Sequence, residues 1–117
     1  MSTVAAQPKS TLKPEVAEFC ARAVAALRAK LPVREVWLFG SQAEGSANRH
    51  SDYDLMVVLS DGHGIRRPTL ESYSAVRAIA GTTAADVIAI TESRWRREQA
   101  EPWGFYGAIA TKGARVG

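Results

Sequence analysis

Three aspartates and a Gly-Ser pair are the residues of this chain whose types and spacing could do chemistry. Asp52 and Asp54 flank Tyr53 at the head of the apolar run Tyr53 to Leu59. In a strand, alternate side chains leave by the same face, so the two carboxylates would project together. Two carboxylates roughly 5 to 7 Å apart, at an effective dielectric of about 20, repel by about 2 to 3 kcal/mol. Either one of them holds a proton, or a divalent cation sits between them, and hard oxygen ligands of this kind favour magnesium or manganese. Asp86 is the lone acid in a second apolar run, Ala85 to Ile90. Buried there it needs a partner; exposed at a strand edge after the Thr82-Thr83 turn it needs none. A bare Asp-x-Asp is common in loops, where it merely caps a strand. A single metal site accounts for all three carboxylates at once.

Gly40 and Ser41 follow the run Val36-Trp37-Leu38-Phe39 directly. A tight turn at that point turns bare backbone N–H groups and a hydroxyl toward an anion. The elements that must hold these groups are legible from periodicity. From Pro14, the residues Val16, Phe19, Cys20, Ala23, Val24, Leu27 and Leu31 recur at three- and four-residue spacing, which is one stripe of a helix that Pro32 stops. Val33 to Phe39 reads as a buried strand, Gly40 to Ser51 as a short, mobile connection, and Tyr53 to Leu59 as a second strand. Leu70, Tyr73, Val76 and Ala80 predict a second amphipathic helix ended by Gly81, and Ala85 to Ile90 a third strand. Thr91 caps a further helix, Pro102 interrupts it, and Trp103 to Ile109 continues as a last helical segment. Helix, strand, strand, helix, strand, helix is the order of an α/β (α+β) domain: a small mixed β-sheet flanked by helices.

Gly40-Ser41, ten intervening residues, and then Asp52-Tyr53-Asp54 resembles the signature of the polymerase β nucleotidyltransferase superfamily. The likeness is strongest to its minimal nucleotidyltransferase (MNT) branch, which includes MntA-like antitoxins. It extends over most of the chain: a leading helix, a strand ending in Phe-Gly-Ser, the Ser-Asp-x-Asp-Leu strand, and a later strand with a third Asp. The resemblance implies a polymerase β-type fold in which Asp52 and Asp54 bind two magnesium ions, with manganese as the alternative. Asp86 would complete the site of the ion that activates the nucleophile. Gly40 and Ser41 would hold the β- and γ-phosphates of ATP. Nucleotidyl transfer displaces pyrophosphate in line, and two metals about 3.5 to 4 Å apart stabilise the attacking and leaving oxygens. One position departs from the pattern: where the family's loop often carries Arg, this chain has Glu44, between Ala43 and Gly45. A carboxylate there disfavours a triphosphate unless it points outward; Arg49 or His50 is the candidate replacement for the missing charge.

The remaining expectations concern scale and setting. In a chain of 117 residues with 46% apolar and 23% charged residues, one core is the expectation: an arm over 1–11 and a single domain over 12–117. A net charge of +3 with interspersed signs does not mark a nucleic-acid binder. One cysteine, Cys20, excludes a disulfide framework and a Cys-rich zinc site, and its place on the apolar stripe makes it a core thiol. No apolar run approaches the about 18 residues that span a bilayer, and no basic-then-apolar leader is present, so the expected compartment is the cytoplasm. His63 between two glycines reads as a loop residue, and Arg66-Arg67 and Arg94 to Arg97 as solvated faces. Trp37, Trp95 and Trp103 are first of all packing residues, although Trp103 beside Phe105 and Tyr106 equally suits an interaction patch. With no chain left for an acceptor domain, the acceptor is expected to come from another molecule. In the MNT branch that partner is a small helical HEPN-type protein, and the pair resembles a toxin and its antitoxin. The implied reaction is transfer of AMP from ATP to a protein hydroxyl. The alternative is a catalytically inert module of the same fold that acts by complex formation; a metal-dependent phosphohydrolase ranks last, for want of an evident general acid or base.

Overall fold

The computed structural model describes residues 11–48 and 51–117. Along the chain it contains α1 (Pro14–Lys30), β1 (Val33–Phe39), α2 (Ser41–Glu44), β2 (Tyr53–Leu59), α3 (Pro68–Ala80), β3 (Ala85–Thr91), α4 (Glu92–Glu98), α5 (Phe105–Lys112) and β4 (Ala114–Arg115). The strands form one mixed sheet in the order β3-β2-β1-β4. β1 runs antiparallel to both β2 and β4, whereas β2 and β3 are parallel and joined through α3. This is the α/β fold with a small mixed sheet that the periodicities predict.

Continuous apolar runs in β1 and β2 follow from burial on both faces. On one face Val36, Leu38, Leu55, Val57 and Leu59 pack against α1 and α3. On the other, Trp37, Met56, Val58 and Ile90 pack against Trp95 of α4 and Ile109 of α5. In α1, Val16, Phe19, Cys20, Ala23 and Leu27 are buried, with Pro14 in the first turn and Leu31 already extended before Pro32. Cys20 is a fully buried core thiol. α4 begins as expected: Thr91 accepts from the Arg94 N–H at 3.4 Å, and Asp61 Oδ1 accepts from the Ser93 N–H at 3.1 Å. His63 sits in a turn, its Nδ1 accepting from the Ile65 N–H at 2.8 Å.

Several expectations need correction. The buried stripe of α3 is Ser72, Ala75, Val76 and Ala80, while Leu70 and Tyr73 are exposed. Small residues let α3 approach α1 and β3 closely, and the larger apolar residues fall on the flank. The last helix starts two residues later than expected, and Trp103 is 96% exposed, so it packs against nothing. β4 and α2 have no counterpart in the sequence reading; a two-residue strand and a single helical turn are too short to show a period. Residues 1–10 of the expected arm, and Arg49 and His50, lie outside the described residues.

Candidate active site

The sheet's pairing register assembles the site. Phe39, the last residue of β1, lies opposite Asp54, the second residue of β2. Asp54 in turn lies beside Asp86, the second residue of β3. Paired residues in neighbouring strands present their side chains on the same face, about 5 Å apart at Cβ. Phe39, Asp54 and Asp86 therefore form one row across three strands. The row behind it, Trp37, Met56 and Ile88, is an apolar floor shared with α4 and α5. Asp54 is half-buried and Asp86 exposed.

Burial, then the neighbouring carboxylates of Asp86 and Asp52, push the Asp54 carboxyl above its ordinary range. Burial and the two neighbouring carboxylates thus both disfavour the charged form of Asp54. Asp52 is exposed and stands one residue ahead of β2, where no ladder fixes its direction. It lines one cleft with Asp86, Tyr73 and Arg77, and a second with Gln42 and Tyr53. Register thus brings Asp54 and Asp86 together, whereas Asp52, outside the ladder, shares a cleft with Asp86 and acts on Asp54 through its charge. Among the described residues, no three His, Cys, Asp or Glu side chains converge closely enough to hold an ion as they stand. In donor chemistry, three carboxylates at neighbouring positions, the trio nevertheless fits a hard divalent cation.

Gly40 connects this row to α2. Its backbone, at φ 73° and ψ −159°, occupies a region essentially reserved for glycine. A Cβ there would run into the Asp54 Oδ2 atom, with Cγ at 3.4 Å. The Gly40 carbonyl accepts from the Ala43 and Glu44 N–H groups at 3.1 Å each, starting the helical turn. Ser41 and Gln42 occupy the first two positions of α2, where backbone N–H groups have no intrahelical acceptor. Gly40 thus lies directly beside the Asp54 carboxylate, with Ser41 the next residue along the chain. Glu44, at the end of the turn, is exposed. Two residues absent from the sequence-based set also shape the site. Gln42 Nε2 donates to the Ser51 carbonyl at 3.2 Å, tying α2 to the segment before Asp52. Phe39 stands in the carboxylate row itself; its apolar run marked it as core, and only the register shows it beside Asp54.

The mixed sheet, with a Gly-Ser turn against an acidic row, defines an α/β domain with a site suited to a phosphorylated ligand. Residues 20–101 match the family model of the nucleotidyltransferase domain, and the chain belongs to that family. Solved structures share the fold. A protein from Sulfolobus solfataricus assigned as a nucleotidyltransferase is 26% identical, with TM-score 0.52 over 71% of this chain and 73% of that one. A toxin-antitoxin structure with AMP-PNP is 18% identical, with TM-score 0.57 over 84% of this chain and 72% of that one. A cyclic dinucleotide synthase from Elizabethkingia meningoseptica, solved with GTP and Apcpp, is 21% identical, with TM-score 0.50 over 72% of this chain and 39% of that one. The last two attest the fold alone. No curated protein matches the sequence.

Proposed function

We propose that this chain transfers AMP from ATP to a hydroxyl of a partner protein of the small helical HEPN type, as an MntA-like antitoxin of the minimal nucleotidyltransferase branch. The observation that carries the reading is the adjacency of Asp54 to both Asp86 and Gly40, which puts acidic ligands and a phosphate-facing turn side by side. The acceptor hydroxyl gives its proton up to solvent as its oxygen bonds to the α-phosphorus, the bond from that phosphorus to the oxygen bridging to the β-phosphorus breaks, and pyrophosphate departs. Asp52, Asp54 and Asp86 would hold magnesium, which supplies neutralisation of the charge on the phosphates. Ser41 and the backbone at Gly40-Ser41 hold the β- and γ-phosphates. Asp86 is exposed on the edge strand β3, a position open to an acceptor. The protein's contribution is chiefly position and charge.

Support for a protein partner comes from the likeness in fold to the toxin-antitoxin structure. No described helix is long and apolar enough to cross a membrane, and the mild net charge of +3 gives no reason to assign a nucleic-acid acceptor. Incubation with labelled ATP, magnesium and the HEPN-type partner tests the reading. Label on the partner, lost in an Asp52→Asn/Asp54→Asn double variant, is the expected result; undiminished labelling by that variant contradicts it.

Glu44 favours a second reading, an inert antitoxin of the same fold that acts by complex formation. An exposed carboxylate on the turn beside the phosphate position repels a triphosphate. Calorimetric titration with ATP and magnesium separates the two, because the inert module forms its complex while taking up no nucleotide.

A further inference from the structure

The acidic row does not end at β1. Phe105, the first residue of α5, meets Phe39 edge to face, with ring centroids 5.6 Å apart at 88°. It also meets Tyr106 at 5.1 Å and 80°. Two rings thus fix the orientation of Phe105, yet it remains 57% exposed. α5 docks through Ile109 and Gly107, which are buried, and through Tyr106 and Ala110, which pack on the apolar floor. Phe105 is not needed to complete that core. A solvent-facing aromatic ring, oriented against the Phe39 end of the carboxylate row, is instead available to a ligand.

Phe39 lies one strand spacing, about 5 Å, from Asp54 in the register, and its ring centroid lies 5.6 Å from that of Phe105. One side chain, Phe39, thus links Phe105 to the carboxylate row. We infer that Phe105, braced by Phe39, is the platform on which the base of the donor nucleotide stacks while its phosphates lie along Gly40-Ser41 and the acidic row. The inference rests on the proposed nucleotide site and adds to it a contact for the base. Stacking on a ring is tolerant of base identity, since every base has a π-face, so this platform gives affinity for a nucleoside more than choice among bases.

The test is calorimetric titration of the full chain, with magnesium present, against AMP-PNP and against inorganic tripolyphosphate, which lacks a base. Wild type is expected to bind the nucleotide at least about ten-fold more tightly than tripolyphosphate. Phe105→Ala should lose about that factor for the nucleotide and nothing for tripolyphosphate, and Phe105→Trp should retain wild-type affinity. Phe105→Leu keeps an apolar contact with Phe39 and should lose affinity as the alanine variant does, so it decides the matter if alanine unfolds the protein. Wild-type nucleotide affinity in Phe105→Ala or Phe105→Leu overturns the inference, as does an equal loss for both ligands. Wild type binding the two ligands equally overturns the platform and leaves the phosphate site standing; wild type binding neither overturns both. Unchanged nucleotide binding with weaker labelling of the acceptor makes Phe105 an acceptor contact and likewise overturns the inference.

Discussion

Replacing Gly40 by alanine should damage stability and ligand binding together, for two separable reasons. Alanine must adopt φ 73° and ψ −159°, a conformation costing about 1 to 3 kcal/mol in a residue with a side chain. For a domain of this size that lowers Tm by about 4 °C per kcal/mol. The new methyl group also meets the Asp54 carboxylate, which must swing out of the acidic row. Loss of one well-placed charged contact costs about 1.5 to 3 kcal/mol, or roughly ten- to a hundred-fold in nucleotide affinity. Gly45→Ala is the control. Its φ of 78° and ψ of 9° are left-handed, a cost of about 1 kcal/mol, but a Cβ there meets nothing within 4 Å. Thermal melts combined with titration of magnesium and AMP-PNP should show both variants destabilised and only Gly40→Ala deficient in binding. Wild-type binding by Gly40→Ala, or an equal deficit in Gly45→Ala, would refute the close approach of Gly40 to Asp54 as the reason.

Four further outcomes follow from the same physics. Asp54→Asn should raise the metal-free Tm: the folded-state pKa is raised, chiefly by burial, so the contribution of the protonated form is present below the unfolded pKa and is lost as pH rises through the folded one. The gain at pH 7 should be about 1 kcal/mol after allowing for the exposure of Asp52 and Asp86, and added magnesium should narrow it; a lower metal-free Tm would count against the acidic row. Glu44→Arg should tighten binding of magnesium and ATP several-fold at low salt, with the benefit shrinking as salt rises, and an unchanged affinity would place Glu44 clear of the phosphates. Ser72→Ala should stabilise by about 0.5 to 1 kcal/mol in chemical denaturation, because the buried Ser72 hydroxyl has no hydrogen-bond partner among the described residues. Asp61 accepts the Ser93 N–H bond, which holds its carboxyl below the usual range; the Tm deficit of Asp61→Ala should be full at neutral pH and shrink as pH falls below about 4.

What the sequence discloses depends on how local the signal is. The stripe of α1, the three main strands and the Thr91 cap are written in adjacent residues, and they appear where periodicity places them. The spacing from Gly40-Ser41 to Asp52-Tyr53-Asp54 likewise marks a turn and an acidic strand before any register is known. Pairing between strands is a different matter. That Asp54 faces Asp86 rather than Val87, and that Phe39 completes the row, depends on the register of two ladders that no local pattern specifies. Alternation alone predicts Asp52 on the face of Asp54, but Asp52 precedes the first paired residue of β2 and so escapes that constraint. In α3, side-chain size favours Leu70 and Tyr73 as core, yet close helix packing selects Ser72 and Ala75. Phe105 meets Phe39 from 66 positions further along the chain, a distance over which sequence patterns carry no information.

Transfer of the α-phosphate with its nucleoside distinguishes nucleotidyl transfer from phosphoryl transfer, and the position of a phosphate label reads it. The chain is incubated with magnesium and a candidate HEPN-type protein, once with ATP labelled at the α-phosphate and once with ATP labelled at the γ-phosphate. Covalent label on the partner from the α position, none from the γ position, and none in either case with Asp52→Asn/Asp54→Asn is the predicted result. Label from the γ position, no label from either, or α-label undiminished in the double variant would rule out AMP transfer by the acidic row.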